Sequence, residues 1–318
     1  MSKVIITDHS FPSVDLQRNI IESAGFDLEV IDPICKTEED VIERCKGARV
    51  LLVQWAPISF KVMEALPEVK CIVRYGVGVN NFDLKAAKDL GVTAVNVPDF
   101  CVEEVSDHAM AMILSLCRKI PQNHNRITSG GWDVHDFRPI QAFSDLTIGL
   151  VSFGNIAKRV AQKAKAFGFK IIAFDPFLTR EVFNDFGVKK VDMDELLTKS
   201  DVVSLHCPLV LETTHLINRE SIRKMKHGAI IVNTSRGPVI NEPDLIEALK
   251  SGHLSGAGLD VFETEPLPDD SPLKTLSNVI LTSHTASLSE RSIDNLQIKA
   301  AEAARDFLLG KRPISILV

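Results

Sequence analysis

Two rhythms of hydrophobic positions alternate along this chain. Short runs of apolar, β-branched residues are separated by stretches in which apolar residues recur every three or four positions. That alternation predicts parallel strands covered by helices on both faces. In the first hundred residues the runs at 4–7, 28–31, 50–53, 70–73 and 92–97 predict strands. Of the helices between them, one follows Ser13 and stops at Gly25, and one opens on the capping box Thr37-Glu-Glu-Asp40 and ends at Gly47. A third ends at Gly91.

The pattern then changes. Val102, Val105, Ala109, Met112, Ile113 and Leu116 predict a long helix, N-capped by Asp99 and running toward Pro121. Residues 122–144, with Ser129-Gly-Gly131-Trp132 and Pro139, have weak periodicity and predict a loop-rich crossing. Alternation resumes with strands at 146–153, 170–175, 201–206, 229–233, 255–261 and 278–282. A helix over 241–250 carries Pro243 near its start. A last one opens on a capping box at Ser287-Leu-Ser-Glu290 and closes at Gly310. The fold class is therefore α/β with two domains, the chain crossing near residue 100 and returning near 287.

The most informative unit spans 146–175: strand, tight turn, helix, strand, with an acid at the tip. Gly154 lets a phosphate approach the backbone, and the helix N-terminus behind it presents free N–H groups and a positive dipole end. Ile156, Val160, Ala164 and Phe167 form the expected inner face of that helix, and Gly168 its stop. Asp175 follows Gly154 by 21 residues, the spacing at which a carboxylate reads an adenosine ribose and repels a 2′-phosphate, favouring NAD over NADP. The dinucleotide fingerprint falls on Ser152, Gly154 and Ala157. Serine in the first position is tolerable where the turn keeps φ negative.

Charge and cysteine content narrow the classes. A net charge of −6 offers no electrostatic footprint for nucleic acid or an anionic membrane. The six cysteines contain no Cys-x-x-Cys pair, which fits buried free thiols in a reducing compartment better than disulfides or a zinc site. No run approaches 18 apolar residues, and Asp8 interrupts the N-terminus too early for a secretory leader, so a cytoplasmic protein is expected.

Ligands of a doubly wound sheet lie beyond the carboxyl ends of its strands. Three residues stand just past predicted strands: Arg236, Glu265 and His284. Together a cation, a carboxylate and an imidazole can bind and polarise a 2-oxo acid. Singly, each also fits a structural role, as a cap or ion pair, a turn residue beside Pro266, or one of nine histidines.

These residues carry a resemblance. Asn233-Thr-Ser-Arg236-Gly237, Leu259-Asp-Val-Phe-Glu-Thr-Glu265-Pro266 and Thr282-Ser-His284-Thr285-Ala286 resemble the ordered Arg, Glu and His signatures of the D-isomer-specific 2-hydroxyacid dehydrogenases. Arg74-Tyr-Gly-Val-Gly78, Asn96-Val-Pro-Asp and Glu103-Glu-Val-Ser-Asp107-His108 resemble the family's N-terminal motifs. Nearly the whole chain is covered. The nearest branch is that of phosphoglycerate-dehydrogenase-like enzymes and C-terminal-binding-protein corepressors.

The resemblance implies a doubly wound NAD-binding Rossmann domain, residues 100–286, inserted into a flavodoxin-like substrate domain made of 1–99 and 287–318. It also implies a homodimer and an active site in the cleft between the domains. Arg236 would hold the carboxylate and carbonyl oxygen of a small 2-oxo acid, and His284 would donate the proton. Glu265 would fix the histidine tautomer and favour its protonated form. Backbone N–H groups at Val77 and Gly78 would cradle the carboxylate, with Arg74 either assisting or making a structural ion pair. For the cofactor it implies Asn155 and Ile156 at the phosphates and Cys207, Pro208 and Thr213 on the adenosine side. Thr234, Ser235 and Asp260 would lie on the nicotinamide side, unless Asp260 caps a helix instead.

Departures bear on the substrate. Ser283 stands where many relatives have Pro, Thr285-Ala-Ser287 replaces small glycines, and corepressor-like members carry Trp near 287. The chain closes on its last helix, so an appended regulatory domain is not expected. Two functions compete: an NAD-dependent oxidoreductase of 2-hydroxy or 2-oxo acids, of the phosphoglycerate, hydroxypyruvate or glyoxylate type, and an NAD-sensing dimeric interaction protein of the corepressor type.

Overall fold

Apolar runs too short to be helices become strands here because helices cover both faces of each sheet, so consecutive side chains of central strands such as 202–205 and 229–233 are all buried. The computed structural model describes residues 2–318 and divides the chain into two units, Met1–Cys101 with Leu288–Val318, and Val102–Ser287. The first unit runs β1 Lys3–Ile6, α1 Asp15–Ser23, β2 Asp27–Val30, α2 Glu38–Arg44, β3 Ala48–Val53, α3 Phe60–Ala65, β4 Cys71–Arg74, α4 Leu84–Leu90 and β5 Thr93–Val95. Its five strands are parallel in the order β2-β1-β3-β4-β5, the flavodoxin-like order. Alternate residues feed two cores. Ile5, Leu51, Val53 and Ile72 pack with Val41, Val62 and Ala86, whereas Val4, Ile6, Val50 and Leu52 pack with Ile21, Leu296, Ala300 and Ala304.

The second unit contains α5 Val102–Cys117, α6 Ile120–Thr128, β6 Thr147–Val151, α7 Asn155–Ala166, β7 Lys170–Phe174, α8 Arg180–Asp185, β8 Lys189–Lys190 and α9 Met193–Lys199. It continues with β9 Val202–Leu205, α10 Arg219–Lys224, β10 Ala229–Asn233, α11 Glu242–Lys250, β11 Leu254–Leu259 and β12 Val279–Leu281. Its seven strands are parallel in the order β12-β11-β10-β9-β6-β7-β8. The order reverses at β6 and β9, so the ligand crevice of such a sheet falls at their carboxyl ends. The last helix, α12 Glu290–Leu308, returns to the first unit.

Several local expectations shift. The helix α5 begins at Val102 without Asp99, whose carboxylate instead pairs with Lys299 at 2.6 Å. The stretch expected to be loop-rich opens with α6, because Pro121 sits in its first turn, where a missing N–H is no loss. The buried face of α7 is Ala157, Val160, Ala161 and Ala164, one step round from the predicted stripe, and Phe167 is 50% exposed. Small residues win that face because they let the helix sit close to the sheet. The capping box of α12 lies two residues later than predicted. The Ser289 hydroxyl accepts from Ser292 N–H and the Ser292 hydroxyl from Ser289 N–H, both at 2.9 Å. Among the described residues no helix is long and apolar enough to cross a membrane.

Candidate active site

The turn after β6 leads straight into α7. Gly154 occupies the N-cap position, no side chain caps the helix and no acid lies in its first turn, so the leading N–H groups of Asn155 and Ile156 meet an anion without competition. A Cβ built on Gly154 would meet nothing within 4 Å, which leaves open room over the turn. Ser152 does not keep a negative φ; it adopts +72°. Its hydroxyl donates to Asp175 Oδ2 at 3.2 Å, Phe153 N–H donates to the same oxygen at 3.0 Å, and Phe177 N–H donates to Oδ1 at 3.0 Å. The acid just past β7 is thus buried, 7% exposed, and tied to the turn that precedes α7.

Next along the crevice, His206 and Cys207 follow the end of β9. Burial pushes the Cys207 thiol up to about 11, so it stays neutral. Beyond exposed Pro208, Thr213 pins the loop: its hydroxyl donates to Pro208 O at 2.6 Å and accepts from Val210 N–H at 2.8 Å. After β10, Asn233 organises the turn. Its Oδ1 accepts from Ser235 N–H at 3.0 Å and from the Ser235 hydroxyl at 2.8 Å, while its Nδ2 donates to Arg236 O at 2.9 Å. The Thr234 hydroxyl is buried and has no partner within the protein, as expected of a group meant for a ligand. An uncapped helix, open space over Gly154 and this orphaned hydroxyl all fit a bound dinucleotide.

Arg236, Glu265 and His284 follow three adjacent strands, β10, β11 and β12. Arg236 is half-buried and its Nη1 donates to Ser235 O at 2.6 Å. The next residue must be glycine, since a Cβ on Gly237 would sit 1.8 Å from Phe262 O. Glu265 is clamped: one oxygen accepts from Phe262 N–H at 3.0 Å and the other lies 2.8 Å from His284 Nδ1. That contact makes Nδ1 the protonated nitrogen and turns Nε2 outward. His284 itself has φ +55°, a left-handed backbone that costs a side-chain-bearing residue about 1–3 kcal/mol.

Asp260 explains how that conformation persists. It is 1% exposed and accepts from the Thr282 hydroxyl at 2.5 Å, Thr285 N–H at 2.9 Å and Ala286 N–H at 2.9 Å, while its backbone carbonyl accepts from His284 N–H at 2.8 Å. Neither a helix cap nor a bare acceptor, it anchors the histidine loop. Sequence reasoning missed this role and that of Asn233, although both lie in motifs it had singled out. Side-chain-to-backbone anchors have no periodicity that marks them.

In the first unit β4 ends at Arg74. Its guanidinium folds back over Gly76, Nη1 donating to Tyr75 O at 2.5 Å, and a Cβ on Gly76 would collide with it at 1.4 Å. Asn96 Nδ2 holds Val77 O at 2.7 Å, and Val77 and Gly78 lie partly exposed beyond. A second unforeseen anchor is Asp8, 1% exposed, which accepts from Gln54, Trp55 and Ala56 N–H groups after β3.

Comparison with known proteins identifies the family. Residues 110–286 match the family described as D-isomer specific 2-hydroxyacid dehydrogenase, NAD binding domain. The chain is 39% identical over 313 residues to D-3-phosphoglycerate dehydrogenase of Methanocaldococcus jannaschii, covering 98% of this chain but 58% of that protein. It is 32% identical over 324 residues to hydroxypyruvate reductase of Blautia hydrogenotrophica, covering 100% of this chain and 99% of the relative. Among solved structures it resembles D-lactate dehydrogenase from Aquifex aeolicus complexed with NAD and lactic acid. There the TM-score is 0.85 and the identity 28%, over 100% of this chain and 99% of that one. The second unit is an NAD-binding domain, and the chain belongs to the D-isomer-specific 2-hydroxyacid dehydrogenases.

Proposed function

We propose that this protein transfers a hydride between NAD and C2 of a small 2-oxo or 2-hydroxy acid, with His284 as the acid and base. The observation that carries this reading is the His284 Nδ1 to Glu265 contact at 2.8 Å, which frees Nε2 to serve a carbonyl oxygen. The nicotinamide, when bound, supplies or accepts the hydride. Arg236 holds the substrate carboxylate and carbonyl oxygen through a permanently charged, planar fork. Val77 and Gly78 offer N–H groups to the carboxylate, and Arg74 shapes their loop through its bond to Tyr75 O. Asn155 and Ile156 bind the pyrophosphate, Asp175 the ribose, and Cys207, Pro208 and Thr213 line the adenosine. Thr234 and Ser235 face the nicotinamide, with Asp260 behind them.

The candidate substrates are glyoxylate, hydroxypyruvate and phosphohydroxypyruvate, the first two being the substrates named for relatives of the chain. Activity with each, using NADH and NADPH in parallel, tests both substrate and cofactor. We expect turnover with at least one acid, NADH preferred, and its loss by roughly three orders of magnitude in His284→Ala with NADH binding retained. No turnover anywhere on the panel while NADH binds would point to the corepressor-type NAD sensor.

A second copy of the chain is the proposed partner. No residue of α6 is buried, and Ile120, Ile127, Trp132 and Val134 are 54%, 44%, 82% and 77% exposed, an apolar surface that a homodimer would cover. Six buried free cysteines fit a reducing, cytoplasmic setting.

A further inference from the structure

We infer that His108, on α5, is a positioning residue for His284. The inference rests on the reading of His284 as the proton donor. His108 Nε2 lies 2.9 Å from the Thr282 hydroxyl oxygen, and that hydroxyl gives its single proton to Asp260 at 2.5 Å. Thr282 must therefore accept from His108, which fixes Nε2 as a donor and locks the hydroxyl toward the carboxylate. His108 Nε2 is itself 3.7 Å from Asp260 Oδ1.

Asp260 in turn holds Thr285 and Ala286 N–H groups and, through its carbonyl, His284 N–H. Both sides of the histidine are thereby tied to one buried aspartate. The chain of bonds runs from a helix through Thr282 and Asp260 to a loop whose key residue sits at φ +55°. Glu265 sets the ring orientation, and this network sets the backbone from which the ring projects. Removing the His108 donor frees the Thr282 hydroxyl to rotate, leaves Asp260 with a donor less, and lets the loop relax. A shift of about an ångström in the proton donor is enough to lower turnover strongly.

The test compares His108→Ala with His108→Gln, whose amide N–H replaces the imidazole donor, in the full-length protein. With hydroxypyruvate as the test substrate, His108→Ala should lower kcat at least about tenfold while the NADH dissociation constant, read by fluorescence, stays within about twofold. His108→Gln should recover most of the loss. The imidazole resonance of His284 in NMR spectra should move in His108→Ala and return in His108→Gln. Wild-type kcat with an unmoved resonance in His108→Ala would overturn the inference. Equal loss in both variants, with a lowered unfolding midpoint, would make His108 a packing residue. Should His108→Ala not fold, Thr282→Val against Thr282→Ser asks the same question of the next link. An active His284→Ala variant would sink the catalytic reading alone, because the resonance shift would still report positioning.

Discussion

Ser152 is the residue at which conformation and chemistry meet most directly. It stands where a dinucleotide-binding turn has its first glycine, and at φ +72° it bears a strain of about 1 kcal/mol that glycine would not. Its hydroxyl engages Asp175, so the carboxylate assigned to the ribose is already partly satisfied. Ser152→Gly should lower the Michaelis constant for NADH severalfold, with little change in thermal stability because relief of strain is offset by a more flexible unfolded chain. An unchanged constant would make the serine neutral. Asp175→Ala should narrow the preference for NADH over NADPH, measured as the ratio of the two kcat/KM values; an unaltered ratio would remove Asp175 from cofactor discrimination. At this scale much was legible. Arg236, Glu265 and His284 were recognisable by type and order, and Glu265 does contact His284. The anchors Asp8, Asn233 and Asp260 were not assigned these roles, because what they do depends on which backbone N–H groups the fold brings to them.

Among the elements, α12 gives the sharpest contrast between pattern and outcome. Two overlapping serine motifs compete for its start, and the structure uses Ser289 with Ser292. Ser289→Ala should therefore cost about 1 kcal/mol in urea unfolding, whereas Ser287→Ala should leave α12 capped and cost markedly less. The reverse order of effects would place the cap at Ser287. Strands were the most legible elements, the predicted runs matching within a residue or two and 229–233 coinciding with β10, whereas the two-residue edge strand β8 carries no apolar run and was not predicted. Helices were legible where an apolar stripe faced a core. The exception, α6, has no fully buried residue, so no core dictated it. Its neighbour α7 shows the other failure: several helix phases place apolar residues inward, and only contact with β6 selects the alanine face.

For the molecule as a whole, acid stability is set in part by His206. Burial at the end of β9 pushes its imidazole down to about 4 from an ordinary value of 6.5. Between those values the unfolded chain takes up a proton that the folded one refuses, so stability is present above pH 6.5 and falls as pH drops toward 4. The loss reaches about 2–3 kcal/mol at the acid end. His206→Gln should flatten that decline in unfolding curves collected from pH 7 to 4.5; an equally steep decline would assign the acid sensitivity to other groups. The insertion of one unit within the other follows from the division of the chain, in which Val102–Ser287 interrupts the segments of the first unit. It also dictates an order of events during synthesis. The second unit is a single continuous segment, complete once Ser287 has left the ribosome, whereas the first lacks α12, and with it the alanine-rich cover over Val4, Ile6, Val50 and Leu52, until residues 290–308 emerge. The nascent first unit thus waits with one face of its sheet bare while some 190 residues are made, roughly ten to forty seconds at ordinary elongation rates, an interval in which that apolar face is open to aggregation.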